Sequence, residues 1–207
     1  MSKKINRDDV DKFYDYELHI PSRTMYMGSV SIDVDEGESG TDAAMAERLI
    51  KGLHILDNAA PSGDQPITII MNNPGGDEYD GLAIYDAIKA CKNHVTIKVY
   101  GKAMSMGGII LQAADKRIMS RNARFMMHFG TFSMSANAQD VYKWVDENKK
   151  VDQLMIDIFM EKMLEKDKGM TEKKIRSMLK ADFIVDAKEA VALGLADSVL
   201  GEDEEHE

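Results

Sequence analysis

Short apolar runs rich in β-branched residues alternate with amphipathic helical patterns, and this alternation most constrains the fold. The length and turn-forming flanks of Ile67–Met71 favour a buried strand. Residues 79–91 then place apolar side chains at helical spacing, and Val95–Tyr100 alternates as a second strand. Strands that alternate with helices in this way are typical of an α/β domain with a mainly parallel sheet.

The remaining elements follow the same patterns. We expect Gly101 to end the strand before it and a helix to open at Met104. The longest helical pattern covers residues 138–166. Strands are also predicted at 23–27, with a continuation over 29–35, and at 117–119 and 124–127. Further helices are predicted at about 42–56, capped by Thr41 or Asp42, and at 171–179 and 187–193. The chain therefore divides into an N-terminal arm over 1–22, one domain over 23–200 and a disordered acidic tail over 201–207.

The composition excludes several classes of protein. A formal net charge of −10 argues against a general nucleic-acid-binding protein, because an acidic surface repels a phosphate backbone. The single cysteine, Cys91, cannot form an intramolecular disulfide, and the five histidines have no metal-ligand spacing. Neither a membrane helix nor a secretory signal is expected, since no apolar run reaches the roughly 18 residues that a span needs. We expect a soluble protein of a reducing cytoplasm.

Two glycine-rich turns that follow predicted strands are candidates for a functional site. One is Asn73–Gly76, and the other surrounds Ser105 at a strand-to-helix junction. A serine there is well placed as a nucleophile, because free amide groups and the helix dipole favour a developing oxyanion. The alternative, which the local sequence alone favours, is a small residue at a tight packing point. His128, at a predicted strand end, can be a base or a satisfied core residue.

Five segments, in order from Arg23 to Leu200, resemble the proteolytic-subunit family of the Clp protease, within the crotonase-like superfamily. Five ordered matches argue against chance similarity. The segments are Arg23–Gly28, similar to the family's first strand; Asn73–Gly76 with Gly81–Asp86, similar to S-P-G-G-…-G-x-x-I-Y-D; Gly101–Gly107, similar to G-x-A-A-S-M-G; Asn122–His128, similar to N-x-R-x-M-I-H; and Asp182 with Ala187–Ala190 and Gly194–Asp197, similar to D-x-F-x-[ST]-A-x-E-A-…-G-L-x-D.

The resemblance implies a serine endopeptidase that hydrolyses peptides or unfolded polypeptides without a metal or organic cofactor. It implies Ser105 as nucleophile, His128 as base and Asp182 as the residue that orients the histidine. The backbone N–H groups of Gly76 and Met106 are implied to form the oxyanion hole.

The resemblance also implies an architecture and an assembly. The fold is expected to be a crotonase-like head domain of repeated ββα units, with residues 138–166 as a projecting helical handle. Its apolar residues, among them Leu154, Ile158 and Phe159, are expected to pack against another subunit; the alternative is that the helix folds back onto its own sheet. The expected assembly is a homo-oligomer of two stacked heptameric rings, a tetradecamer, that encloses the serines. An ATP-driven unfoldase is the implied partner, although residues 1–21 lack the usual axial-loop sequence.

Several positions depart from the family pattern and are typical of a divergent member, such as one encoded by a bacteriophage. Asn73 replaces the family's serine, and Phe129-Gly130 replaces its Gln-Pro. Asp77 follows Gly76 where the family has a small or apolar residue. A carboxylate there repels a developing oxyanion unless it points away or is paired.

Two questions remain open at the level of sequence. Asp186 is a rival to Asp182 for the third role, although a gap-free count back from Glu189 favours Asp182. Two other functions compete with the peptidase: an acyl-CoA hydratase or isomerase of the same superfamily, which would not need the three side chains together, and a non-catalytic relative.

Overall fold

A mostly parallel sheet organises the protein, whose computed structural model describes residues 6–28 and 40–202. Within these residues the strands are Leu18–His19 (β1), Thr24–Gly28 (β2), Ile67–Asn73 (β3), Val95–Met104 (β4), Lys116–Met119 (β5), Arg124–Met127 (β6), Phe183–Asp186 (β7) and Ser198–Val199 (β8). The sheet has the order β1-β2-β3-β4-β5-β8, and β6 pairs with both β4 and β7. The β1–β2 and β6–β7 pairs are antiparallel and the other pairs are parallel.

Helices cover the sheet and complete the predicted α/β class. Asp42 caps helix α2 (Ala43–Ala59), because its side chain accepts a hydrogen bond of 2.8 Å from the Met45 N–H. The predicted apolar face of this helix is buried against a core that alternate residues of β3 and β4 also enter. The helices in the described part are Arg7–Tyr16 (α1), Ala43–Ala59 (α2), Glu78–Lys89 (α3), Met106–Leu111 (α4), Ala138–Lys166 (α5), Glu172–Met178 (α6) and Ala187–Ala192 (α7), with a 3₁₀ turn at Ile20–Ser22.

Gly101 does not end its strand, and the prediction that it would was wrong. The first half of β4 pairs with β5, whereas residues 102–104 pair with β6. Gly101 has a φ of +90°, and a Cβ at this position would lie 2.6 Å from the Asn72 Oδ1. The missing side chain therefore lets one strand change partners. Consequently α4 begins at Met106 and not at Met104.

Helix α5 has the predicted bounds, but only its second half is buried in the chain's own core. Phe159 is 2% exposed and packs edge-on against Phe125, with ring centroids 6.2 Å apart. Ile158 is buried as well. The expectation that these two residues await another subunit was therefore wrong. The first half of α5 is largely exposed, and so is Leu154 at 45%. This is the part of the predicted handle that the described residues leave uncovered.

The segment predicted as an N-terminal arm contains helix α1, which buries none of its residues. Leu18 and His19 then pair with β2 at the edge of the sheet. The proposed continuation of the first strand over residues 29–35 and the acidic residues 203–207 lie outside the described part. None of the helices in the described ranges combines the length and apolar content needed to cross a bilayer.

Candidate active site

Ser105 occupies the junction of β4 and α4 in a conformation that few non-glycine residues adopt. Its φ is +51° and its ψ is −122°. The Ser105 N–H donates to the Met126 carbonyl at 2.9 Å, directly after the paired residues Met104 and Met126. Such a conformation costs about 1–3 kcal/mol and persists only where surrounding structure imposes it. The strain marks this serine as a functional candidate.

Ser105, His128 and Asp182 form a continuous chain of hydrogen bonds. The His128 Nε2 lies 3.0 Å from the Ser105 Oγ, and the His128 Nδ1 lies 2.9 Å from the Asp182 Oδ1. Strands β6 and β7 are paired so that Met127 lies opposite Phe183. His128 leaves β6 and Asp182 enters β7 at the same end, so the sheet places these two side chains next to each other.

Asp186 lies at the other end of β7 and is engaged elsewhere. Its carboxylate accepts a bond of 2.9 Å from the Glu189 N–H, and the Glu189 carboxylate accepts one of 3.0 Å from the Asp186 N–H. These two bonds form a capping box at the start of α7. The geometry thus favours Asp182 over Asp186 as the partner of His128.

Asn73 holds the glycine turn beside Ser105. Its buried side-chain Oδ1 accepts a bond of 2.7 Å from the Gly75 N–H, and its Nδ2 donates to the Thr41 Oγ1 at 3.2 Å. The Thr41 N–H donates to the Gly75 carbonyl, and the Asp77 N–H donates to the Thr41 carbonyl. These are the bonds of a parallel bridge between Thr41 and Gly76, and they do not use the Gly76 N–H.

Two backbone N–H groups therefore accompany the serine. Gly76 and Met106 line the same cleft as Ser105 and His128. Met106 is the first residue of α4, where an N–H has no acceptor within the helix. An oxyanion hole requires two donors directed at one point, and these two N–H groups are the candidates for that role.

The Asp77 carboxylate is paired with the start of α3. Its Oδ1 accepts bonds from the Tyr79 N–H at 2.9 Å and from the Asp80 N–H at 3.0 Å. The negative charge is partly compensated by these donors and by the helix dipole. The residue therefore acts as an N-cap despite its position next to Gly76.

A cleft of about 310 Å³ is lined by Ser105, His128 and the residues that carry the two N–H groups, Gly76 and Met106. Its apolar wall combines residues from three elements, namely Ile109, Met127, Met155 and Phe159. Tyr79 and Phe132, both partly exposed, also line the cleft. Within the described residues, no three His, Cys, Asp or Glu side chains are grouped to hold a metal ion.

Comparison with known sequences identifies the family. The sequence model of the family described as Clp protease matches residues 34–203. The chain belongs to the Clp protease family. It is 32% identical over 167 residues to the ATP-dependent Clp protease proteolytic subunit of Deinococcus radiodurans, covering 80% of this chain and 78% of that protein. It is also 32% identical over 163 residues to the ATP-dependent Clp protease proteolytic subunit 2 of Pseudomonas aeruginosa, covering 78% and 77% respectively.

Membership of the Clp protease family confirms the resemblance and, with it, the expected class of serine-type endopeptidases. The sequence predicts neither the contact of Thr41 with the glycine turn nor the position of Glu78 in the cleft. The local pattern presents Thr41 only as a candidate helix cap, and its contact with Gly76 joins segments 35 residues apart. Glu78 lines the cleft and directly follows Asp77. The unusual acidic residue Asp77 after the glycine turn was the one sequence signal that pointed to this segment.

Replacing Gly75 with alanine should disable the site. Gly75 has a φ of +106°, and a Cβ there would lie 2.5 Å from the Ser105 Cβ and 2.9 Å from the Met104 carbonyl oxygen. We expect Gly75→Ala to slow labelling of Ser105 by a fluorophosphonate probe roughly 100-fold, because a misplaced nucleophile loses its alignment.

Gly201→Ala is the matched control, since Gly201 has a φ of +84° but a Cβ added there would meet no atom within 4 Å. Both substitutions introduce backbone strain of about 1–2 kcal/mol, and only Gly75→Ala introduces the clash. Equal labelling rates in the two variants would contradict the geometry described for the turn.

Proposed function

We propose that this Clp-family protein hydrolyses peptide bonds with Ser105 as nucleophile, His128 as general base and Asp182 as the residue that orients the base. The supporting observation is the hydrogen-bonded chain of the three side chains at the edge of a substrate-sized cleft. The acyl-CoA hydratase or isomerase alternative does not account for this chain, because enolate chemistry needs the paired amide groups but no activated serine.

The reaction follows from this geometry. As the Ser105 Oγ attacks the substrate carbonyl carbon, its proton passes to the His128 Nε2. The oxyanion of the tetrahedral intermediate accepts hydrogen bonds from the Gly76 and Met106 N–H groups. His128 then protonates the leaving amine, the C–N bond breaks and an acyl-enzyme remains. Water attacks this ester with His128 again as base, which releases the acid and restores the serine.

Asp182 fixes which histidine nitrogen carries the proton. Its carboxylate accepts the Nδ1–H and leaves Nε2 unprotonated toward the serine. The Asp182 side chain is 63% exposed in the single chain, so solvent screens its charge and the hydrogen bond carries most of its effect.

Ser105→Ala should abolish peptide hydrolysis and leave the fold intact. Loss of a triad nucleophile costs on the order of 10⁶ in rate in serine proteases. Cleavage of fluorogenic peptides and labelling by a fluorophosphonate provide the measurement, and circular dichroism checks the fold. Ser177→Ala, an exposed serine of α6, is the control and should behave as wild type. Retained hydrolysis in Ser105→Ala would refute the assignment.

Asp182→Asn should impair hydrolysis far more than Asp186→Asn. An amide at position 182 can favour the wrong histidine tautomer, a loss of about 10⁴ in chymotrypsin-type enzymes. Asparagine at position 186 still caps α7, because asparagine is as good an N-cap as aspartate. The comparison requires kcat/KM for one peptide in both variants. A larger loss in Asp186→Asn would contradict the proposed role of Asp182.

The proposal extends to assembly. The named relatives are subunits of an ATP-dependent protease. By analogy we place this chain in a closed homo-oligomer of two stacked heptameric rings in the cytoplasm. Its partner in this proposal is an ATP-driven unfoldase that delivers unfolded substrate. The exposed apolar residues of α5 support contact between copies, because Tyr142 and Trp144 are 64% and 44% exposed in the single chain.

Leu154→Glu should disrupt the oligomer without unfolding the subunit, because Leu154 is exposed on α5. Ile158→Glu should unfold the subunit, since it places a charge in the core. Light scattering coupled to size exclusion, with thermal unfolding, separates the two outcomes. A wild-type monomer near 23.1 kDa with full peptidase activity would refute the chamber.

A further inference from the structure

Glu78 places a carboxylate in the cleft that contains Ser105 and His128. It belongs to the first turn of α3 and lines the cleft with both residues. Its Oε1 lies against the segment that follows His128, because a Cβ added to Gly130 would be only 2.6 Å from it. The carboxylate therefore lies between two walls of the cleft.

The surroundings of Glu78 add negative charge and provide no matching cation. Burial raises the pKa of the Glu78 carboxyl, and the charges of Asp152 and Asp77 raise it further. Within residues 6–28 and 40–202, no lysine, arginine or histidine forms an ion pair with Glu78. Arg176, the cation that acts on Asp152, is hydrogen-bonded to other side chains, those of Glu172 and Gln153.

Asp77 and Glu78 both line the cleft, but their carboxylates differ in the hydrogen bonds that they accept. Asp77 accepts two backbone hydrogen bonds, whereas no described residue donates a hydrogen bond to the Glu78 side chain. A half-buried carboxylate without a donor gains most from a charged donor that arrives with the ligand.

The walls beside Glu78 suit the stem of a long side chain. Met155 and Phe159 of α5 line the same cleft and are apolar. Lysine and arginine pack their methylene stems on such surfaces and keep the charged group at the tip. A leucine would contact the same walls but leave Glu78 without a partner, and a glutamate would be repelled.

We propose that the cleft selects substrates with lysine or arginine on the acyl side of the scissile bond, with Glu78 as the residue that recognises the positive charge. This inference rests on the proposed peptidase function of Ser105. A competing explanation is that Glu78 only stabilises the start of α3, where the helix dipole favours an acidic residue. That explanation predicts a change in stability and no change in substrate preference.

The test uses fluorogenic peptides that differ only in the residue before the scissile bond, which is Lys, Gln, Leu or Glu. We expect wild-type kcat/KM to be highest for Lys and lowest for Glu. In Glu78→Gln the value for Lys should fall about tenfold, as expected for loss of a hydrogen bond to a charged group, while the value for Leu should not fall. Glu161→Gln, the same charge change on α5 outside the cleft, should leave the ratio of Lys to Leu unaltered.

Fluorophosphonate labelling of Ser105, measured in parallel, separates the possible failures. If Ser105 is labelled but the Leu peptide is cleaved as well as or better than the Lys peptide, the role of Glu78 is overturned and the peptidase proposal stands. If Ser105 is not labelled and no peptide is cleaved, both proposals are overturned. Absence of a Lys preference in the wild type overturns the proposal by itself, so refutation does not depend on the folding of Glu78→Gln. Thermal unfolding of that variant separates recognition from helix stabilisation, because only recognition changes the ratio of Lys to Leu.

Discussion

The parallel pairing of the last residues of β4 with β6 is the constraint on which the rest of the site depends. It continues into the hydrogen bond from the Ser105 N–H to the Met126 carbonyl and holds the serine at a positive φ. Strand β6 then leads to His128, and β7, antiparallel to β6, begins directly after Asp182. Backbone hydrogen bonds of one sheet thus set the relative positions of three side chains, which is more precise than placement on independent loops.

Helices and strands with strong local patterns could be predicted from the sequence, whereas the point at which a strand changes its pairing partner could not. The face of α2 that holds Met45 and Leu49 is visible in the sequence because helical periodicity is local. The prediction for Gly101 was wrong because a glycine at a strand end and a glycine within a bent strand look alike in sequence. Only the tertiary pairing with β6 distinguishes them. In the same way, the pattern predicted the length of α5 but could not tell that Ile158 is buried and Leu154 exposed.

The three side chains of the candidate site were selected by resemblance, and the structure explains why local reasoning alone could not select them. Ser105 by itself looked like a packing residue, and Asp182 and Asp186 lie only four positions apart. What distinguishes the two aspartates is the strand register, which places one beside His128 and leaves the other to cap α7. Asn73 looked like a departure from the family, yet its amide serves a structural purpose because it accepts the Gly75 N–H.

Two acidic residues follow the glycine turn, and their different environments bear on catalysis. Asp77 directs its charge to the N–H groups of α3, whereas Glu78 lines the cleft and would oppose the oxyanion of the proposed mechanism. Under the proposed recognition of a basic side chain, the arriving cation neutralises Glu78 before the oxyanion develops. The Gly76 and Met106 N–H groups, the proposed oxyanion hole, would then act without a competing negative charge. A neutral substrate leaves that repulsion in place, so discrimination would occur in the chemical step as well as in binding.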